Sequence, residues 1–138
     1  MERVATCFCG QLSVTMEGDP QMHGLCHCRQ CQKMSGGPFT YSGYWPRSAV
    51  KKMSGNASCF RKMSESGRWL DVYFCPSCGG KVYWHLEFNP NVIGLPIGAF
   101  EDQVFPPPVY SLWHDTKQEW VEVPGTCATF DQQPTAWG

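Results

Sequence analysis

The chain has no long apolar run. Its most apolar later stretch, residues 92–100, contains Pro96 and two glycines and is far too short to cross a bilayer. The first ten residues hold an early acid and no apolar segment of signal-peptide length, so a soluble, cytoplasmic protein is expected. An excess of one charge is also lacking. Lys and Arg number 11 against 12 Asp and Glu, for a net charge of -1. Phosphate backbones need a concentrated basic surface, so nucleic acid is not the expected partner, and neither is a membrane. No Gly-x-Ser-x-Gly, Walker loop, Gly-x-Gly-x-x-Gly in a strand–turn–helix setting, or His-Glu-x-x-His occurs. Glu65, Asp71, Glu87 and Asp102 are available carboxylates, but nothing pairs any two as an acid–base couple. With no low-complexity linker in 138 residues and 42% hydrophobic content, a single domain over residues 1–138 with one core is expected.

What is present is punctuation. Fourteen glycines and eleven prolines spread along the chain favour short strands and turns over long helices. Residues 12–16 alternate Leu12, Val14 and Met16 with Ser13 and Thr15, the period of a half-buried strand. Residues 39–45, 49–53, 58–63, 69–74, 81–86, 92–97, 109–114 and 119–122 are the other strand candidates. Gly55-Asn56 predicts a hairpin turn between the third and fourth of these nine. In residues 81–86, Val82, Trp84 and Leu86 share one face, opposite Lys81, Tyr83 and His85. Residues 29–35 have room for one short helical turn before Gly36-Gly37-Pro38. Phe105-Pro106-Pro107-Pro108 is a stiff extended connection. The fold class expected is mainly β: a small double-sheet, zinc-binding domain with short helical turns only.

Cysteine is the abundant residue type, at nine. Seven fall in three clusters: Cys7 and Cys9; Cys26, Cys28 and Cys31; Cys75 and Cys78. An odd count fits a complete disulfide framework badly, and thiols this close suit metal chelation, with tetrahedral zinc favoured. Cys75-Pro76-Ser77-Cys78-Gly79, between two strand candidates, has the form of a zinc knuckle whose glycine permits the reversal. The most economical partition joins Cys7, Cys9, Cys75 and Cys78 into a closed, structural four-sulfur site. Cys26, Cys28 and Cys31 then remain as three ligands with a fourth position to fill. His23, His27, His85, Cys59 or Cys127 could complete them, or the position stays open for substrate. Cys59, beside Phe60 in a strand, reads as a packed core thiol, and Cys127 as either buried or reactive.

Three thiolates make zinc a poor Lewis acid but a good holder of a soft fourth ligand, especially a thiol. Arg29 and Lys33 flank the cluster and could offset its charge. A thiol substrate is therefore the first expectation. A non-catalytic zinc module that binds a protein or carries a thiol is the alternative.

Three stretches carry a family resemblance: Cys7-Phe8-Cys9-Gly10, Cys26-His27-Cys28-Arg29-Gln30-Cys31, and Phe74-Cys75-Pro76-Ser77-Cys78-Gly79. Gly98-Ala99-Phe100-Glu101-Asp102, His114 and Lys117-Gln118-Glu119-Trp120 extend it. Together they resemble the glutathione-dependent formaldehyde-activating enzymes, or S-(hydroxymethyl)glutathione synthases. The resemblance implies a mostly β, tent-like fold of small sheets, shared with B-type methionine sulfoxide reductases. It also implies a structural zinc on Cys7, Cys9, Cys75 and Cys78 and a catalytic zinc on Cys26, Cys28 and Cys31, two per chain. The activity implied is that of a carbon–sulfur lyase acting on glutathione and formaldehyde, with Arg29, Lys33, Arg61 and Arg68 as cationic candidates for the glutathione carboxylates. Redox chemistry of the reductase type, with Cys127 or Cys59 as nucleophile, lacks the expected Arg-x-Cys-x-Asn setting.

Overall fold

The computed structural model describes residues 1–64, 66–101 and 104–134; Glu65 and Asp102 lie outside them. In chain order the strands are β1 (Glu2–Thr6), β2 (Ser13–Glu17), β3 (Met22–Cys26), β4 (Thr40–Pro46), β5 (Val50–Ser54), β6 (Ser58–Met63), β7 (Trp69–Phe74), β8 (Lys81–Leu86), β9 (Val92–Pro96), β10 (Tyr110–Leu112) and β11 (Ala128–Thr129). A seven-residue helix, α1 (Arg29–Ser35), follows β3. The fold is mainly β, as expected, in two sheets. One has three strands in the order β1-β2-β5, and the other has eight in the order β11-β10-β3-β4-β9-β8-β7-β6. Pairing is antiparallel except where β10 joins β3 and β11. Among the described residues, no helix is long and apolar enough to cross a membrane.

Period-two alternation gives the large sheet two different faces. One carries Trp45, Tyr83, Ile93 and Leu95, which pack with Val14, Met16 and Ala5 of the small sheet into the main core. The other carries Tyr44, Trp84 and Leu86 and borders a cavity. Strand β8 is covered on both faces, Tyr83 by the main core and Trp84 by Met34, Tyr44, Leu70 and Val92, so both are buried.

Several local expectations need correction. Gly55-Asn56 does not close a hairpin, because β5 pairs with β2 in the small sheet while β6 pairs with β7 in the large one. The chain crosses between sheets there, tied by Gln11, whose Nε2 donates to Asn56 O (2.7 Å) and whose Oε1 accepts from Asn56 N (2.9 Å). Residues 119–122 form no strand. Lys117 Nζ donates to the carbonyls of Gln118 (3.2 Å) and Val121 (2.8 Å), holding a turn instead. Cys59 is exposed, since β6 is an edge strand and is largely solvent-facing. Helix α1 makes nearly two turns, not one. β1, β3 and β11 carry no clean alternation of their own and went unpredicted.

Candidate metal centres and the cavity over the large sheet

The first cluster gathers at two tight turns. Gly10 (φ +80°) and Gly79 (φ +77°) both adopt the left-handed conformation that lets each turn reverse. In the second, Gly79 N donates to Cys75 O (2.8 Å) and Ser77 N to Cys75 Sγ (3.3 Å). In the first, Leu12 N donates to Cys7 Sγ (3.3 Å). The sulfurs of Cys7, Cys9, Cys75 and Cys78 all lie within 4.8 Å of one another. Cys9 Sγ is 3.7 Å from Cys7 Sγ and 3.8 Å from Cys75 Sγ. A tetrahedron with metal–sulfur bonds of about 2.3 Å has edges of about 3.8 Å, so these separations fit such an ion. Burial alone raises the Cys75 thiol, but Gln11 Nε2 at 3.0 Å and the N–H groups of Cys78 and Ser77 outweigh it and lower it to about 6.

The second cluster forms where β3 ends and α1 begins. Cys26 is the last residue of β3, and Cys28 is the helix N-cap, its Sγ accepting from Cys31 N (3.3 Å). Cys31 sits one turn along, which turns it back toward the cap. The three sulfurs lie within 4.8 Å of one another, and among the described residues no fourth His, Cys, Asp or Glu joins them. Hydrogen bonds from Cys26 and Cys31 lower the Cys28 thiol to about 3, with a smaller contribution from the Lys62 charge. Donating that bond to Cys28, the Cys26 thiol is held strongly upward.

Gln32, buried on α1, fixes this loop. Its Nε2 donates to His27 O (2.8 Å) and Thr116 O (3.0 Å), and its Oε1 accepts from Arg29 Nη1 (2.6 Å) and Gln118 Nε2 (3.1 Å). Thr116 Oγ1 also donates to His27 O (2.9 Å). All four hydrogen-bonding positions of a buried amide are filled, which suits a rigid support. The residues after β10 therefore clamp the peptide between Cys26 and Cys28.

The fourth-ligand candidates all have other places. His27 is fully buried with Nε2 2.9 Å from Ser111 Oγ, which lies 2.7 Å from His114 Nε2; burial, then the His114 and Lys117 charges, lower His27 to about 4. His23 Nδ1 lies 3.3 Å from Tyr41 Oη, and His85 packs on Tyr73 and Tyr83. Cys127 Sγ donates to Pro108 O (3.1 Å).

Above Cys26, Cys28 and Cys31 opens a cavity of about 740 Å³. Its floor is the free face of the large sheet and its rim includes Lys62, Ser64, Ser66 and Arg68 of the β6–β7 hairpin. Of the four cations suggested by charge, only Arg68 lines this cavity. Arg29 is bound to Gln32, Arg61 pairs with Asp71 (2.8 Å) and lies over Trp69, and Lys33 is not part of the lining. Arg68 itself is 3.6 Å from Glu87. Lys62 escaped the sequence reading. Its place on β6, two residues before the turn into β7, became meaningful only once the cavity was known.

The family model for the glutathione-dependent formaldehyde-activating enzyme matches residues 2–116. The chain belongs to that family. No curated protein matches the chain significantly. Among solved structures, a structural-genomics crystal structure of a Rhodobacter sphaeroides protein superposes with a TM-score of 0.56 at 19% identity, covering 75% of this chain and 91% of that one. That likeness is one of fold. Both cysteine clusters are able to hold metal ions.

Proposed function

We propose that the protein is a zinc-dependent carbon–sulfur lyase that forms or breaks the bond between a thiol, glutathione first, and formaldehyde or a related carbonyl. The carrying observation is the three-sulfur cluster: no fourth protein ligand stands beside it among the described residues, and it opens on a cavity large enough for a tripeptide. Family membership supports the choice of glutathione and formaldehyde. Cys7, Cys9, Cys75 and Cys78 would hold a structural zinc, and Cys26, Cys28 and Cys31 a catalytic one. Bound at the latter, zinc supplies an open position that favours a soft sulfur and lowers its pKa.

The chain's own residues supply the rest. Lys62 and Arg68 at the rim suit the two glutathione carboxylates, and Lys62 also offsets charge at Cys28. Gln32 and Thr116 keep the cysteine loop from shifting as ligands come and go. The reaction is an addition: a sulfur–carbon bond forms, the carbonyl oxygen takes the proton lost by the thiol, and nothing is oxidised. The cavity argues against the alternative, a closed and non-catalytic zinc module. The exposed Cys59 and the Pro108-bound Cys127 lie outside the cavity lining, which argues against reductase chemistry.

Calorimetric titration with glutathione, alongside metal analysis of the purified protein, tests the reading. Two zinc ions per chain, glutathione binding that requires the second of them, and faster adduct formation with formaldehyde are expected. A protein that carries both ions yet ignores glutathione would sink the proposal.

A further inference from the structure

Among the described residues, those with a positive φ are glycines with one exception, Trp113 at φ +62°. A bulky side chain is strained there, and such strain persists only where the surroundings over-determine it. Hydrogen bonds on both sides of Trp113 do so. Phe130 N donates to Ser111 O (3.0 Å), and Phe130 O accepts from His114 N (3.1 Å). In a regular parallel ladder the two bonds of one residue reach positions two apart on its neighbour. Here they reach positions three apart, so the chain after β10 carries one extra residue, a bulge. Trp113 O in turn accepts from Thr116 N (3.2 Å) and Thr116 Oγ1 (3.3 Å), and Thr116 is tied to Gln32.

The extra residue re-aims a side chain. Tyr110 and Leu112 of β10 line the cavity, while Ser111 between them faces the other way, its Oγ 2.9 Å from His27 Nε2. By alternation residue 113 belongs with Ser111, away from the cavity, yet Trp113 lines it. Leu112 is registered with Cys26, so Trp113 stands at the end of the cavity that holds the three sulfurs. Tyr110 and Trp84 are buried, whereas Trp113 is half-buried and packs into neither core cluster. Strand β10 and the β6–β7 hairpin come from opposite ends of the large sheet, and the cavity lies between Trp113 on the one and Lys62 and Arg68 on the other.

Resting on the thiol–carbonyl reading above, we propose that Trp113 is a specificity-determining residue, whose indole packs on the body of the bound thiol and selects a peptide-sized thiol over a small one. The three sulfurs fix where a substrate sulfur binds, and Trp113 stands on the adjoining wall, beside the carbons and amides next to that sulfur. A rigid, amphipathic ring offers them a broad contact at low entropic cost. A peptide-sized thiol reaches from this wall to the cationic hairpin, whereas a small thiol stays at the metal. The strain at Trp113 is thus spent on holding the ring in the cavity before substrate arrives.

The test measures binding of glutathione and of 2-mercaptoethanol to the zinc-loaded protein by calorimetry, with melting temperature and metal content recorded for each variant. Trp113→Gly removes the ring and relieves the left-handed backbone, so it is expected to keep its metal and its melting temperature. Its Kd for glutathione should rise by about tenfold or more, and its Kd for 2-mercaptoethanol by less than about twofold. Unchanged glutathione affinity overturns the inference and leaves the thiol–carbonyl reading standing. An equal loss for both thiols does the same, because it places the damage at the metal ligands. Glutathione that fails to bind the unaltered protein overturns that reading, and the inference with it. Should Trp113→Gly lose its fold or its metal, Trp113→Phe decides by fluorescence. A glutathione-induced shift in indole emission that is present in the unaltered protein and gone from Trp113→Phe supports the contact. A shift that persists undiminished in the variant, or is absent from both, refutes it.

Discussion

Cys28 differs from the eight other cysteines in doing two jobs. It caps α1 and it supplies one of the three sulfurs of the open cluster. Cys28→Ser should therefore lose one metal ion per chain and all glutathione binding, by elemental analysis and calorimetry. Cys59→Ser, on the exposed edge strand, should lose neither. Gln32 is the residue on which the cluster's geometry leans. Gln32→Ala would strip the His27 and Thr116 carbonyls and the Gln118 amide of a buried partner, at a cost of about 1–3 kcal/mol. Denaturant unfolding should register that loss, and a chelator should strip the second metal faster from the variant. Nothing in the sequence marked Gln32. A glutamine in a seven-residue helix looks solvated until the turn that holds it, Thr116 to Gln118, 84 to 86 residues on, is in place.

At the scale of elements, the Cys75–Cys78 knuckle depends on one backbone angle. Gly79→Ala meets no steric obstacle but must adopt φ near +77°, which costs about 1–2 kcal/mol. Lower thermal stability and quicker loss of the first metal are expected together, followed by calorimetry and dye-linked metal release. The β6–β7 pair carries a cross-strand Arg61–Asp71 bridge, with Arg61 Nε and Nη2 on the two carboxylate oxygens at 2.8 and 3.1 Å. Arg61 lowers the Asp71 carboxyl below its ordinary value. A depressed carboxyl stabilises the fold above the unfolded pKa of about 3.9, and that contribution fades as pH falls through the folded value. The stability gap between the protein and Asp71→Asn should hold from neutral pH to about 4 and shrink below it. Strand β2 was legible in the sequence because burial of Val14 and Met16 on one face wrote its period. β3 was not, since Met22-His23-Gly24-Leu25-Cys26 mixes a cluster cysteine and a glycine lying against Tyr110 into the face that would otherwise be apolar.

For the whole molecule, the two clusters carry unequal mechanical weight. Cys9 and Cys75 lie 66 residues apart, and their cluster joins the start of the small sheet to the β7–β8 turn of the large one. Closing so long a loop constrains the unfolded chain far more than the local cluster of Cys26, Cys28 and Cys31 does. Cys75→Ser should thus lower the melting temperature by more than about 10 °C, and Cys28→Ser by much less, when scanned side by side. The partition of seven cysteines into four and three was readable from spacing, because short-range pairs dictate which sulfurs can share an ion. The crossing of the chain at Gly55 was not, because a turn signal states that the chain reverses and says nothing of which sheet receives it.

The clamp on the His27 carbonyl has a consequence in time. Every ligand of the four-sulfur cluster has been synthesised once residue 78 is added, whereas the support behind Cys26 and Cys28 arrives only with Ser111, Thr116 and Gln118. On the ribosome, the four-sulfur cluster can gather while the support behind the three-sulfur cluster is still unfinished. The three-sulfur cluster gains its support last, when the rest of the chain is already able to shield it.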